Sequence, residues 1–275
     1  MELYIRGDIE QVWGDSDPFD EVAKLQGEVY RNKEGRTTLQ TTIGDRSFFL
    51  KIHRGIGWKE IFKNVLQCRL PIIGASNEFE AAEKLAGLGV NTLTTAAFGK
   101  KGLNPAKQLS FILTEDLVDT ISLEDYCADW PVNKPSFAHK KALIELVANV
   151  SRIMHGAGIN HRDYYICHFL LAKSSLQDLT HPICFLIDLH RAQMRSKTPV
   201  RWAVKDIAGL YFSAMDIGIT KRDCLRFMKV YCQAQNTEQV RSKIEVSFWC
   251  SVNDKALALY RKDHGKASPC ETWWQ

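Results

Sequence analysis

Residues 158–172 read GINHRDYYICHFLLA, and this stretch decides the fold class. Gly156 and Gly158 close the segment before it, the polar His161, Arg162 and Asp163 follow, and then an apolar run begins. A helix, a polar loop and a strand therefore succeed one another. Upstream, Leu143, Leu146, Val147, Val150, Ile153 and Met154 recur at helical spacing, the apolar stripe of a long helix. Downstream, YICHFLLA and PICFLIDLH flank the polar SSLQDLTH and pair as a hairpin whose two exits carry Asp163 and Asp188.

Toward the N-terminus, EVY, the turn RNKEG, RTTLQTT, the turn IGDR and SFFLKIH make a three-stranded antiparallel meander between Gly27 and His53. WKEIFKNVLQCRL, residues 58–70, is a basic amphipathic helix, broken by Pro71 and Gly74. Ser76 or Asn77 caps a further helix, NEFEAAEKLAGLG, that Gly87 and Gly89 close. LSFILT, residues 109–114, is a buried strand leading into the linker Glu115, Asp116, Leu117. From Trp202 onward the pattern is helical, without repeats or low-complexity sequence.

Composition sets the outer limits. The 275 residues, 45% hydrophobic, suffice for one large domain or two small ones. The formal net charge of +4 suits an anionic partner and an ordinary surface equally, and no nucleic-acid partner is expected. The eight cysteines form no CxxC pair, which speaks against a zinc ribbon or dithiol redox motif and for reduced, structural thiols. Acids at Glu2, Asp8 and Glu10 stand where a secretory signal needs an apolar core, and no apolar run reaches transmembrane length, so a cytosolic chain is expected.

The candidate chemistry lies in the order of the motifs. A strand lysine (FFLKIH, Lys51), a helical glutamate (NEFEAAEKL), an apolar strand entering a linker, a long helix ending in GINHRD, and IDLH after a hairpin follow the running order of a kinase. Phosphoryl transfer is mostly positioning and charge stabilisation. It needs a cation on the α- and β-phosphates, a carboxylate orienting that cation, a carboxylate on the metal, and a carboxylate receiving the acceptor's proton. Lys51, Glu78, Asp188 and Asp163 match these roles. Glu78 is preferred to Glu80 because it shares a helix face with Ala82 and Leu85, whereas Glu80 shares one with Glu83 and Lys84. His161 and Arg162 support the loop, and Asp206, in VKDIAGLYF, anchors it through backbone amides.

The resemblance is closer than to kinases at large. LQGEVYR, FFLKIHRGIGWKEIFKNVLQCRLPIIGASNEFEAAEKLAGLGV, HRDYYICHFLL, IDLHRAQ, KDIAGLYFS and TKRDCLRFMKVY resemble the lipopolysaccharide core kinases of Gram-negative bacteria, most closely the heptose(I) kinases. The resemblance covers most of the chain. It implies an α+β, bilobal protein-kinase-like fold: an N-lobe, residues 1–114, of antiparallel sheet with one central helix, a hinge at 115–117, and a mainly helical C-lobe, 118–275. ATP and Mg2+ are the implied cofactors, with adenine on the backbone of Glu115 and Leu117 and the phosphate loop at Gly35. Lipopolysaccharide is the implied acceptor, on the cytoplasmic side of the inner membrane. Another core sugar such as Kdo, or a protein substrate of an atypical kinase, is the alternative.

Three departures from the general kinase pattern bear on the site. The N-lobe turn RNKEGR has one glycine, Gly35, so the phosphate loop relies on backbone amides of 33–37 and on Arg36 or Thr37. His168 stands where kinases carry an asparagine metal ligand, and is either a metal ligand or a satisfied core histidine. Only 17 residues separate Asp188 from Asp206, too few for an activation loop and a peptide-docking platform. The helix 58–70 either covers the N-lobe or contacts lipid, and Trp273 and Trp274 are either a packed tail or an interfacial anchor.

Overall fold

A computed structural model describes residues 1–33, 35–55, 57–66, 74–178, 181–234 and 246–267. The chain divides into two compact units. One comprises Met1–Lys84, Thr92–Val118 and Leu189–Arg191; the other comprises Leu85–Asn91, Asp119–Asp188 and the described residues from Ala192 onward.

The first unit is built on a six-stranded antiparallel sheet. Its elements are β1 (Glu2–Ile5), α1 (Gly7–Trp13), α2 (Pro18–Lys24), β2 (Gly27–Lys33), β3 (Arg36–Ile43), β4 (Arg46–His53), α3 (Gly57–Leu66), α4 (Ser76–Gly87), β5 (Thr95–Lys101) and β6 (Leu109–Glu115). The strand order is β1-β5-β6-β4-β3-β2, so the expected meander forms one side and β6 lies centrally between β4 and β5. Phe48, Leu50 and Ile52 alternate along β4 onto one face, where Phe111 and Leu113 of β6 join Ile9, Trp13, Phe19 and Val22 from α1 and α2. Burial of these side chains against water holds the two helices to the sheet. The opposite face carries Ile112 and Phe98, with Phe98 stacked at 4.3 Å on Phe79 of α4. In addition to the central helix expected from the sequence, α1 and α2 are short helices, the second capped by Asp17 with Pro18 at its first position.

The second unit contains β7 (Thr120–Ser122), α5 (Leu123–Cys127), α6 (Phe137–Gly156), β8 (Ile159–Asn160), β9 (Phe169–Ala172), β10 (Cys184–Leu186), β11 (Gln193–Met194), α7 (Val200–Ser213), α8 (Lys221–Tyr231) and α9 (Val246–His264). The expected long helix is α6, capped by Ser136, with Leu143, Val147, Ala148, Ser151, Met154 and His155 buried. The expected hairpin is β9–β10, in the register Phe169↔Leu186, Leu170↔Phe185 and Leu171↔Cys184. On its other side β9 pairs with β7. Six cysteines among the described residues are free thiols, and burial pushes those of Cys127 and Cys184 up to about 12, as structural cysteines require. Trp273 and Trp274 lie outside the described residues, as do 67–70 of the expected basic helix.

Candidate active site

In the first unit the alternation of β4 that turns Phe48, Leu50 and Ile52 into the core points Lys51 to the other face, level with Thr38 on β3 and Ile112 on β6. Glu78, in the first turn of α4, meets it there. Lys51 Nζ forms an ion pair with Glu78 Oε1, with the lysine side chain 12% and the glutamate 1% exposed. Glu78 Oε2 is buried without a hydrogen-bond partner among the described residues. Two residues further on, Glu80 is exposed.

Gly35 sits in the β2–β3 turn with φ +73°, and a Cβ there would stand 2.6 Å from the carbonyl oxygen of Gly55. Only glycine accommodates that turn. The Gly35 carbonyl accepts from the Arg54 amide at 2.8 Å. Its neighbour Glu34 lies outside the described residues, so the amides expected to bind phosphate are described only in part. At the end of β6, the Glu115 amide donates to the Thr94 carbonyl at 2.9 Å, and its carboxylate pairs with Arg6 at 2.8 Å and with Arg46. The Glu115 amide is thereby committed within the first unit. Asp116 donates its amide to the Ser47 carbonyl, and Leu117, half-buried, follows.

In the second unit Asp206, 1% exposed on α7, grips the HRD loop with both carboxylate oxygens. Oδ2 accepts the His161 amide at 2.7 Å, and Oδ1 accepts the Arg162 amide at 2.9 Å. Charge-assisted bonds of this kind are roughly twice as strong as neutral ones. They hold Arg162 at φ +77°, a left-handed conformation unusual for a residue with a side chain, and so set the direction in which Asp163 leaves the loop. His155, at the end of α6, supports Asp206 from behind: Nε2 lies 3.3 Å from Oδ2, and Nδ1 lies 2.8 Å from the Tyr231 hydroxyl of α8. Neither His155 nor Tyr231 stood out in the sequence, because the contact joins helices 51 and 76 residues apart in the chain.

The hairpin closes the other side of the loop. The Ile187 amide donates to the His168 carbonyl at 2.9 Å, and His161 Nε2 donates to the Ile187 carbonyl at 2.9 Å. Burial lowers the His161 pKa, so the ring is a neutral donor. Asp188, at φ +63°, then turns its carboxylate toward His168, whose Nε2 lies 3.6 Å from Asp188 Oδ2. The start of the loop is pinned as well: β8 pairs with β11, and a Cβ on Gly158 would fall 1.9 Å from the Arg195 carbonyl oxygen. Asp163, His168 and Asp188 are thus brought together in one unit, and Lys51 with Glu78 in the other.

The family model described as "Lipopolysaccharide kinase (Kdo/WaaP) family" matches residues 20–231. The chain belongs to the lipopolysaccharide kinase family. Within it, the chain is 46% identical over 262 residues to a Pseudomonas aeruginosa protein named lipopolysaccharide core heptose(I) kinase WaaP, spanning 95% of this chain and 97% of that one. An Escherichia coli protein of the same name is 53% identical over 223 residues, 81% of this chain and 84% of its own. A solved structure, WaaP in complex with acyl carrier protein, superposes with a TM-score of 0.82 at 42% identity, covering 94% of this chain and all of that one.

In this lipopolysaccharide kinase the described residues include no group of three or more His, Cys, Asp or Glu side chains able to hold a metal by themselves. A kinase-type divalent site does not require one, since phosphate oxygens and water complete the shell around one or two protein donors. Asp188 fits that role. The second unit also contains an apolar pocket of about 110 Å3 among α5 to α9, lined by Leu123, Leu143, Val147, Ile207, Phe227 and Trp249 among others. No helix among the described residues is long and apolar enough to cross a membrane.

Proposed function

We propose that this chain transfers the γ-phosphate of ATP to a hydroxyl of the first heptose of the lipopolysaccharide inner core. The observation that carries the reading is the grip of Asp206 on the His161 and Arg162 amides, which fixes the backbone immediately before Asp163. In this reading, residues 1–114 are the nucleotide-binding lobe, 115–117 the hinge, and 118–275 the catalytic lobe. Asp163 accepts a hydrogen bond from the attacking hydroxyl and takes its proton as the new ester forms. Lys51, oriented by Glu78, neutralises the α- and β-phosphates, the turn at Gly35 approaches them, and Glu115 and Leu117 hold adenine through their backbone. Magnesium, held by Asp188, supplies charge neutralisation on the phosphate oxygens when bound.

The acceptor class is supported by the names of the relatives and by the 17 residues between Asp188 and Asp206, which leave no room for a peptide platform. Acyl carrier protein enters as a partner of the solved relative, and the apolar cavity of the second unit has the chemistry of an acyl-chain site. Peripheral contact with the cytoplasmic face of the inner membrane is supported by α3, where Trp58, Phe62 and Leu66 are 49%, 60% and 84% exposed on one side while Ile61 is buried. Radiolabelled ATP offered with core lipopolysaccharide, with heptose-free Kdo-lipid A and with a generic peptide tests the proposal. Label in the heptose-bearing acceptor alone is expected. Label in the Kdo acceptor or the peptide alone overturns it.

A further inference from the structure

We infer that the cations gathered on the Trp202 ring, Arg162, Arg201 and Lys205, form a subsite for an anionic group, a carboxylate or a phosphate, that the acceptor carries beside its reacting hydroxyl; the inference rests on the glycolipid-kinase reading above. The charge pattern points there first. Residues 189–205, between Asp188 and Asp206, contain five Lys or Arg side chains and no Asp or Glu, whereas the whole chain has a net charge of only +4. A single-sign stretch of this kind raises the local concentration of a ligand of opposite sign.

Part of that charge is gathered at one point of the second unit. The Arg201 guanidinium lies 5.3 Å, the Lys205 ammonium 5.4 Å and the Arg162 guanidinium 5.8 Å from the Trp202 ring centroid. An indole attracts cations through its quadrupole but has no net charge, so it holds the three in place without neutralising them. Arg162 is buried, Lys205 half-buried and Arg201 exposed, so the cluster opens to solvent at Arg201. Arg201 also breaks a local rule. It is the second residue of α7, which opens at Pro199 with no side-chain cap and no acid in its first turn. The partial positive charge of a helix N-terminus favours an acid there and opposes a cation, and violations of this sort are expected where function asks for them.

The cluster is fastened to the catalytic loop from two sides. The Thr198 hydroxyl donates to the Ile159 carbonyl at 3.2 Å, and Arg195 donates to Asn160 Oδ1 at 2.6 Å, which ties the segment entering α7 to the strand that leads into the loop. One turn beyond Trp202, Asp206 takes the His161 and Arg162 amides. Arg162 thus joins the cluster to Asp163, its neighbour in the chain and the residue proposed to receive the acceptor hydroxyl.

Arg201→Gln, at an exposed position, is the deciding variant. Its KM for core lipopolysaccharide should rise about tenfold, the low end of what a hydrogen bond between charged groups contributes, with kcat and nucleotide affinity near wild type. Arg201→Lys should recover most of the loss, and Lys197→Gln, which removes an exposed cation that is not on the ring, should change KM by less than about twofold. Two altered acceptors identify the anion: one with its sugar carboxylates reduced to alcohols, the other with its lipid phosphates removed. Whichever lacks the bound group should behave with the wild type as the intact acceptor behaves with Arg201→Gln, and the variant should cost nothing further on it. An unchanged KM for Arg201→Gln, an equal rise for Lys197→Gln, or a loss that persists on both altered acceptors overturns the inference. So does an equal loss of binding to phosphatidylglycerol vesicles, which would mark a general headgroup patch. The same acceptors titrated without ATP test the subsite whether or not transfer occurs, and wild-type transfer to the heptose alongside any of these failures leaves the kinase reading standing.

Discussion

The two units solve the same problem, holding a carboxylate in place, by opposite means. In the first, Glu78 is buried against the cation of Lys51, and among the described residues one of its oxygens has no hydrogen-bond partner. In the second, Asp206 is equally buried and meets two backbone amides and a histidine. A carboxylate with one charged partner is costly to bury and depends wholly on that partner, which fits the proposed sharing of its lysine with phosphates. A carboxylate saturated by main-chain donors is a fixture. The difference teaches that Glu78 is set by one side-chain cation, whereas Asp206 is tied to the backbone of the two residues before Asp163.

Four measurements break or sharpen that contrast. The largest effect belongs to the group that the fixture presents. Asp163→Asn should lower the transfer rate by about 10²- to 10⁴-fold, the usual contribution of a positioned base, while nucleotide affinity stays near normal in a titration. Asp188→Ala should weaken nucleotide binding as well, so the two variants separate in that assay even if both are inactive. Normal transfer by Asp163→Asn would end its assignment as base.

Next is the buried pair. Lys51→Met strands the Glu78 charge and should cost about 3–5 kcal/mol in urea unfolding, much of which Lys51→Met/Glu78→Met should restore without restoring activity. If the single variant proves as stable as the wild type, Glu78 is not held by Lys51 in solution.

His53 sharpens the picture of the first unit through pH. Burial, aided by the charge of Arg36, lowers its pKa from 6.5 to about 4. The folded state therefore binds the proton less readily than the unfolded chain. The stability is fully present above pH 6.5 and is lost as pH falls through about 4, a swing of about 3 kcal/mol at about 1.4 kcal/mol per pKa unit. His53→Gln should flatten that part of the pH–stability profile; an unchanged slope would place the acid sensitivity elsewhere.

The smallest effect is expected at the fixture itself. Asp206→Asn removes one acceptor and leaves one loop amide facing a donor, costing about 1–3 kcal/mol. Amide exchange at His161 and Arg162 should accelerate and the transfer rate should drop with little change in nucleotide affinity. Protection unchanged at both amides would mean that the loop is held by the hairpin instead.

Much of this was legible before any coordinates. The 3.6-residue spacing from Leu143 to Met154 specified α6, because a helix can bury only a stripe of that period. The alternation in RSFFLKIH put Lys51 opposite Phe48, Leu50 and Ile52, because strand side chains alternate faces. The placement of Glu78 inward and Glu80 outward on α4 followed from helical geometry in the same way. By contrast, β1 and β5, the helix α1, and the apolar cavity in the second unit left no comparable local signal. Their stability comes from partners far along the chain, as β1 owes its place to β5 some 95 residues later.

What the sequence by itself determined was therefore the elements, their order and the residue types that phosphoryl transfer needs, since each depends on period, caps and turns within a few residues. What only the tertiary structure decided was the distances at which the expected pairs meet, Lys51 with Glu78 and Asp206 with the loop amides, and the pairs nothing in the sequence announced, His155 with Tyr231 and His168 turned toward Asp188. Those pairings are set by strand register and helix packing across tens of residues, and a hydrogen bond or ion pair depends on ångström distances that no local pattern encodes.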